Sequence, residues 1–412
     1  MTIEVDVPPG WTETSLGELF KFSNGVNADK SRYGQGIPFI NVLEVITYEG
    51  LTKDQIPGRI ELAPAVAAHY CVRHGDILFN RTSETPEDLG LASVYLSRSP
   101  IVFGGFVFRG RARTECLSTA YSKYAFRAPY VRAQIVSRSQ GAIRANVSQR
   151  DLKKVRVVLP PHDEQIKVAE TLATSDNLID LLSRLIDKKE QIKQGMMQQL
   201  LTGATRLPEF SGRWKEVKLG DVSTMSSGGT PSSDVSDYYG GGIPWVSITD
   251  ITRSGKYVRS TEKSLSRAGL LSSAAKLYSG NVVLYAIYAS LGECALPVHP
   301  MSSSQAILGI LPGRLLDREF LYYHLTSRKD RVKELGQHGT QANLNAGMVR
   351  AFRLNLPPVE EQRAIAVILR DADVALDTLR KRLAKAAAAK QGIVQQLLTG
   401  RTRLCRCESA AV

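Results

Sequence analysis

The stretch KQGMMQQLLTGATRL, Lys193–Leu207, returns as KQGIVQQLLTGRTRL, Lys390–Leu404, 197 residues further on. The same shift carries LPPHDEQ, Leu159–Gln165, onto LPPVEEQ, Leu356–Gln362, with no gap between the two matches. Two segments of equal length, alike at both ends and unlike between, point to a doubled element whose length matters. Upstream the match continues with small gaps. GWTETSLGELFKFSNG (Gly10–Gly25) resembles RWKEVKLGDVSTMSSG (Arg213–Gly228), and IPFINV (Ile37–Val42) resembles IPWVSI (Ile243–Ile248). GAIRANVSQRDLKKVRVVLPP (Gly141–Pro161) pairs in the same way with GTQANLNAGMVRAFRLNLPP (Gly339–Pro358). A repeat of this period organises the whole chain and takes precedence over local readings.

Each gapless segment reads as one long helix. No proline interrupts it after Pro161, a residue suited to a first turn, and Asp163 and Glu164 complement the positive end of the helix dipole. Pro358, Glu360 and Glu361 repeat that start, and Gly203 and Gly400 supply left-handed stops. At every third and fourth position the first copy gives Val168, Leu172, Ser175, Ile179, Leu182, Ile186, Lys189, Lys193, Met196 and Leu200. The second gives Ile365, Leu369, Ala372, Leu376, Leu379, Leu383, Ala386, Lys390, Ile393 and Leu397. Seven of these ten pairs are apolar in both copies, which predicts a coiled-coil seam. The alanine-rich KAAAAK, Lys385–Lys390, makes the second helix thin locally. Roughly 40 residues at ~1.5 Å each give a rod of about 60 Å. The chain is thus expected as α+β: a globular part over 1–158, a helix over 159–203, a second globular part over 204–355, a helix over 356–400, and a tail over 401–412. Each globular part is read as a mixed sheet with short helices. The simplest closure pairs the helices antiparallel and relates the halves by a pseudo-twofold, with both termini near one junction.

Composition narrows the partners. Of 412 residues, 53 are Lys or Arg and 40 are Asp or Glu, so the formal net charge is +13. Such a surplus favours a polyanion, with nucleic acid ahead of an anionic membrane. The apolar runs IVFGGFVF (Ile101–Phe108) and VVLYAIYA (Val282–Ala289) are too short to span a bilayer and have strand composition. MTIEVDVPPG lacks a signal-peptide core, so a cytoplasmic location is expected. Cys71, Cys116, Cys294, Cys405 and Cys407 show no zinc spacing and read as free thiols, with Cys405-x-Cys407 a weak pair in the tail. Two unlike modules held at a set separation on a basic molecule fit duplex DNA with two unlike half-sites.

The doubled LPP…EQ starts, the doubled QQLLTG ends and the two diverged globular parts resemble the specificity (S) subunit of Type I restriction-modification systems. The resemblance covers nearly the whole chain. It implies that each globular part is a target recognition domain reading one half of a bipartite, asymmetric double-stranded DNA site. It implies that the paired helices set the gap and dock two methyltransferase subunits, to which restriction (translocase-nuclease) subunits can be added. S-adenosylmethionine, ATP and Mg would then bind those partners, and this chain would hold no cofactor or metal.

The catalytic motifs of such partners are not found here. The Pro pairs LPPH and LPPV lack the polar residue before and the aromatic after that an adenine methyltransferase loop needs. No G-x-x-x-x-G-K-[ST] and no H-E-x-x-H occurs. A self-contained DNA-modifying enzyme is disfavoured, since the chain alone would have to cut or modify DNA. A protein-only coiled-coil scaffold would show no preference among duplexes.

Candidate DNA contacts come from residue types that reach phosphates or base edges. In the first globular part they are Lys30, Arg32 and Tyr33 of NADKSRY, Asn80, Arg81 and Thr82 of FNRTS, and Arg109, Arg111 and Arg113 of RGRAR. The three Arg alternate and so share a face if extended. In the second they are Ser227, Thr230, Ser232 and Tyr239 of the Gly-rich loop, Tyr285 and Tyr288 of LYAIYAS, and Ser303 and Gln305 of MSSSQ.

Overall fold

The computed structural model describes residues 6–139, 145–337 and 343–404. Cys405 and Cys407 lie outside them, as do parts of the Gly141 and Gly339 repeat segments. The chain forms two compact units: Met1–Leu182 with Arg382–Val412, and Ser183–Lys381.

The first unit is built on a five-stranded sheet in the order Phe20–Asn24, Val107–Ala112, Ile77–Asn80, Ala92–Tyr95, Gly50–Leu51. Its pairs are antiparallel except the last, where Gly50 meets Val94 in parallel. Tyr33–Ile40 stands between Arg59–Ile60 and Val102–Phe103 in a small second sheet. Thr12–Ser15 and Arg156–Leu159 pair where the chain enters and leaves the globular part. Phe20, Phe22, Phe79 and Phe126 meet edge-on at 5.2–6.3 Å and, with the helix Thr119–Ala125, close one face of the sheet. Edge-to-face rings add to what their burial alone supplies.

The second unit repeats this topology with other side chains. Its sheet runs Ser223–Ser227, Ile307–Pro312, Val283–Ala286, Cys294–Pro297, Tyr257–Val258, again with one parallel pair at the far edge. Tyr239–Val246 lies between Lys263–Leu265 and Ser302–Ser303, and Lys215–Lys218 pairs with Arg353–Leu356. The aromatic quartet is gone: strand register places Ser223 and Met225 where Phe20 and Phe22 stand. Fold and sequence have separated here, because a mixed sheet asks only for buried apolar volume.

The long helices are His162–Leu200 and Val359–Leu398, 39 and 40 residues. In the first unit Val168, Ala169 and Leu172 share a core with Ile393, Val394, Leu397 and Leu398. In the second, Met196, Met197, Leu200 and Leu201 share one with Ile365, Ala366, Ile368 and Leu369. Contacts climb one helix as they descend the other, Asp176 meeting Lys390, Glu190 meeting Arg380 and Lys193 meeting Asp373, so the pairing within each unit is antiparallel. Of the expected seam, Val168, Leu172, Ile186, Leu200, Ile365, Leu369, Leu376 and Leu397 are buried, and Ile179, Leu182, Met196, Leu379, Leu383 and Ile393 are half-buried. Near the ends the stripe widens to Ala169, Met197, Ala366 and Leu398, because there each helix packs on a globular part as well as on its partner.

The recurring TG now has a structural reason. Thr202 and Thr399 each return their hydroxyl to the carbonyl four residues back, at 2.6 Å. Gly203 and Gly400 follow at φ +76° and +67°, where a Cβ would be strained. That Cβ would also press on the Trp214 ring at 3.2 Å in one copy and on Pro8 at 2.3 Å in the other. Among the described residues no helix is long and apolar enough to cross a membrane.

Candidate nucleic-acid interface

The repeated Glu-Gln at each helix start is a socket for a globular part. Gln165, fully enclosed, accepts the Ser118 amide at 2.8 Å and donates to the Cys116 and Pro160 carbonyls. Gln362 does the same with the Asp317 amide at 2.7 Å and the Leu315 and Pro357 carbonyls. A glutamine is needed because the site demands a donor and an acceptor together. Glu164 takes Arg403 as a two-bond fork and the Trp11 indole N–H at 3.2 Å, and Glu361 takes Arg206 and Trp214 identically. Burial alone would raise the Glu164 carboxyl, but these donors hold it below its ordinary value. The doubled T-R-L after each helix is therefore the strap that binds Glu164 or Glu361.

About three turns further along each long helix stands a second junction. Tyr124 and Lys123 both donate to Asp176 at 2.7 Å, and Lys390 closes the other carboxylate oxygen at 2.6 Å. In the second unit Tyr323 donates to Asp373 at 2.6 Å and Lys193 lies 2.5 Å from its other oxygen. The helices present the same Asp and Lys in both units, and each globular part brings a Tyr to them. These sockets orient the sheets.

Each sheet then ends in an exposed edge. In the first unit Arg81 N–H bonds the Phe106 carbonyl, Val147 N–H bonds Arg81, and Val26 N–H bonds Phe103. In the second, Ile287 bonds Ala306, Leu344 bonds Ile287, and Gly229 bonds Ser303. The same backbone steps thus carry two unlike sets of side chains. The first presents Asn24, Asn27, Phe106, Arg81, Thr82, Asn146 and Gln149, with Gln149 donating to Asn24 at 2.8 Å. The second presents Ser227, Thr230, Gln305, Tyr288 and Asn343, all exposed. Amides, hydroxyls and an exposed ring are the groups that meet base edges and faces.

Of the residues nominated from sequence, Ser227, Thr230, Tyr288 and Gln305 come together on this edge, as do Arg81 and Thr82. Arg81 is half-buried, stacked 5.1 Å over Phe108. Lys30 and Arg32 are exposed on a short helical turn leading into the neighbouring small sheet, Tyr33 at the start of its strand, and Ser232 on the loop before Tyr239. The others lie off this edge, most of them turned inward. Arg109 and Arg111 do share a face, but the inner one: both bond the Cys71 carbonyl, and Arg111 forks onto buried Asp76 at 2.6 and 2.8 Å. Burial pulls the Arg109 guanidinium down, and the Asp76 hydrogen bonds hold Arg111 up. Arg113 is exposed at the opposite end of its strand, beside Leu19. Asn80 is enclosed and donates to the Asp88 carbonyl at 2.7 Å. Tyr285 and Ser303 are buried in the second core, and Tyr239 donates to Pro231 at 2.8 Å.

Asn24, Asn27, Phe106, Asn146, Gln149 and Asn343 were not nominated. The signal for Phe106 sat inside IVFGGFVF, read as one strand. The chain instead makes two, Val102–Phe103 and Val107–Ala112, because a Cβ on Gly104 would meet the Phe39 ring at 2.7 Å and one on Gly105 would meet Asn27 at 1.9 Å. The Gly-Gly pair turns the chain and leaves Phe106 55% exposed. No group of His, Cys, Asp and Glu among the described residues is placed to hold a metal ion.

Comparisons with known proteins agree with this architecture. Residues 212–387 match the family model of the Type I restriction modification DNA specificity domain. The putative type I restriction enzyme MjaX specificity subunit of Methanocaldococcus jannaschii is 23% identical over 420 residues, 97% of this chain and 95% of that one. The EcoR124I/EcoR124II specificity subunit of Escherichia coli is 23% identical over 257 residues, 60% and 62% of the two chains. Among solved structures, the HsdS subunit from Thermoanaerobacter tengcongensis superposes with a TM-score of 0.52 at 18% identity, over 96% of this chain and 98% of that one. A chain from a structure on assembly and conformational transition of the type I R-M system gives 0.64 at 18%, over 96% and 100%. Two copies of one topology on two copies of one socket make the chain similar from end to end to the specificity subunits of Type I restriction-modification systems, and residues 212–387 match their DNA specificity domain.

Proposed function

We propose that this chain is the DNA-recognising subunit of its complex, that each globular part reads one half of a split asymmetric site through its exposed sheet edge, and that the paired helices scaffold the methyltransferase subunits. The observation that carries this reading is the edge itself. Equivalent backbone positions hold Asn24 and Ser227, Asn27 and Thr230, and Thr82 and Tyr288, as two readers of different base pairs require, while Asn146 and Asn343 are alike. Chemistry belongs to the partners: S-adenosylmethionine on two methyltransferase subunits, ATP and Mg on restriction subunits where these join. Methylome sequencing of a host expressing the chain with its methyltransferase subunit, against a deletion of the chain, tests it. A split motif methylated only when the chain is present supports the reading, and an uninterrupted motif or none overturns it. Inserting four residues into both long helices is expected to lengthen the gap and leave the two half-sites unchanged.

A further inference from the structure

Within the second unit a cleft lies where Ser254–Tyr257 faces the paired long helices. Its walls carry Lys193, Lys256, Arg259, Arg370 and Arg380, with Asp373 and Asp377 between them. Three of the cations are engaged inside the unit. Lys193 is on Asp373, Arg380 is 2.6 Å from Glu190, and Lys256 donates to the Tyr323 hydroxyl at 2.7 Å and lies 3.4 Å from Glu319. The other two are held less. Among the described residues Arg370 has only Glu319, at 3.9 Å, and no carboxylate is within ion-pair distance of exposed Arg259.

The first unit shows that the frame does not need these charges. Strand pairing puts Glu49 and Thr52 where Lys256 and Arg259 stand, and the helix repeat puts Ala173 and Ser183 where Arg370 and Arg380 stand. The Asp and Lys of the socket are kept in both, and Lys256 and Arg380 are satisfied within the unit, so the charge left to serve something outside the fold is that of Arg259 and Arg370. That something is not the base-reading edge. Arg259 follows Val258, which pairs with Pro297 at the end of the sheet opposite Ala286 and Ile307.

We infer that this cleft receives a carboxylate-bearing segment of one methyltransferase subunit, with Arg259 and Arg370 as its two guanidinium forks, and that the two halves of the chain therefore dock their partners unequally. A planar guanidinium matches a carboxylate through two parallel hydrogen bonds, which the compact ammonium of a lysine does not. The inference rests on the scaffolding role proposed above.

The test is native mass spectrometry and titration of the full chain with its methyltransferase subunit, comparing wild type with Arg259→Glu/Arg370→Glu. Both side chains are exposed, and a thermal melt checks that the fold survives. The variant is expected to lose about tenfold or more in affinity for one methyltransferase subunit while keeping the other. In the wild type one of two binding steps is expected to weaken steeply with salt. Thr52→Glu, the matching change in the first unit, should leave both steps intact. Two unchanged steps in the double variant overturn the inference, and so does unchanged assembly with weakened DNA affinity, which would make the cleft a phosphate site. A wild-type chain that binds no methyltransferase subunit and directs no methylation sinks the functional reading as well.

Discussion

Asp76 illustrates how a single residue reverses a reading. Alternating arginines on a strand share a face, and on sequence grounds Arg111 would touch phosphates. With Asp76 only 3% exposed and both its oxygens on Arg111, that guanidinium instead neutralises an enclosed carboxylate. Arg111→Ala strands the charge and is expected to cost about 2 kcal/mol, below the range for a fully buried pair because Arg111 is itself a third exposed. The check is a thermal melt alongside the salt dependence of DNA binding. A lower melting temperature with an unchanged slope of affinity against salt is the expected outcome, since no phosphate contact is lost. Period-two alternation was legible. Which face met the core was not, because that depends on the Cys71–Asp76 loop, some 35 residues upstream in sequence.

At the scale of elements, legibility follows locality. The long helices could be read because their start, stripe and stop are each written within a few residues, and the seam residues are all at least half-buried. The sockets could not, since Ser118, Tyr124, Asp317 and Tyr323 reach the helices only after the globular parts have folded. Leu172 and Leu369 occupy equivalent points where socket and seam meet, and both are fully buried. Leu172→Ala and Leu369→Ala should each cost about 2–5 kcal/mol, measured by denaturant titration. Asp176 adds a pH dependence. Burial would raise its carboxyl, yet Lys123, Lys390 and Tyr124 hold it below the usual value. A carboxyl depressed on folding stabilises fully above its unfolded value of about 4, and that contribution is lost as pH falls through the folded value. Asp176→Asn should therefore melt below wild type at neutral pH, with the difference shrinking as the pH is taken below about 4.

For the whole molecule, one frame written twice carries two unlike edges, the two readers proposed above. The helix starts, straps and sheet topology are the parts that both copies share; self-comparison of the sequence exposed the helix starts and the T-R-L straps, and the strand order came only with the structure. The readers themselves were only half legible, because divergence erases the repeat at the positions where the two edges do different work. Ser227, Thr230 and Gln305 stood out through their Gly- and Ser-rich setting and Tyr288 through LYAIYAS, whereas Asn24, Asn27 and Phe106 needed the turn at Gly104–Gly105 to be seen. Independence has a measurable consequence. Asn27→Ala with Phe106→Ala should relax base preference at positions of one half-site only, and Thr230→Ala with Gln305→Ala at positions of the other. Each lost base contact should narrow the discrimination by about 1–3 kcal/mol. Methylome sequencing of hosts carrying each pair reads the two halves separately. Relaxation of both halves by either pair would mean that the edges act through a shared structure and not as separate readers.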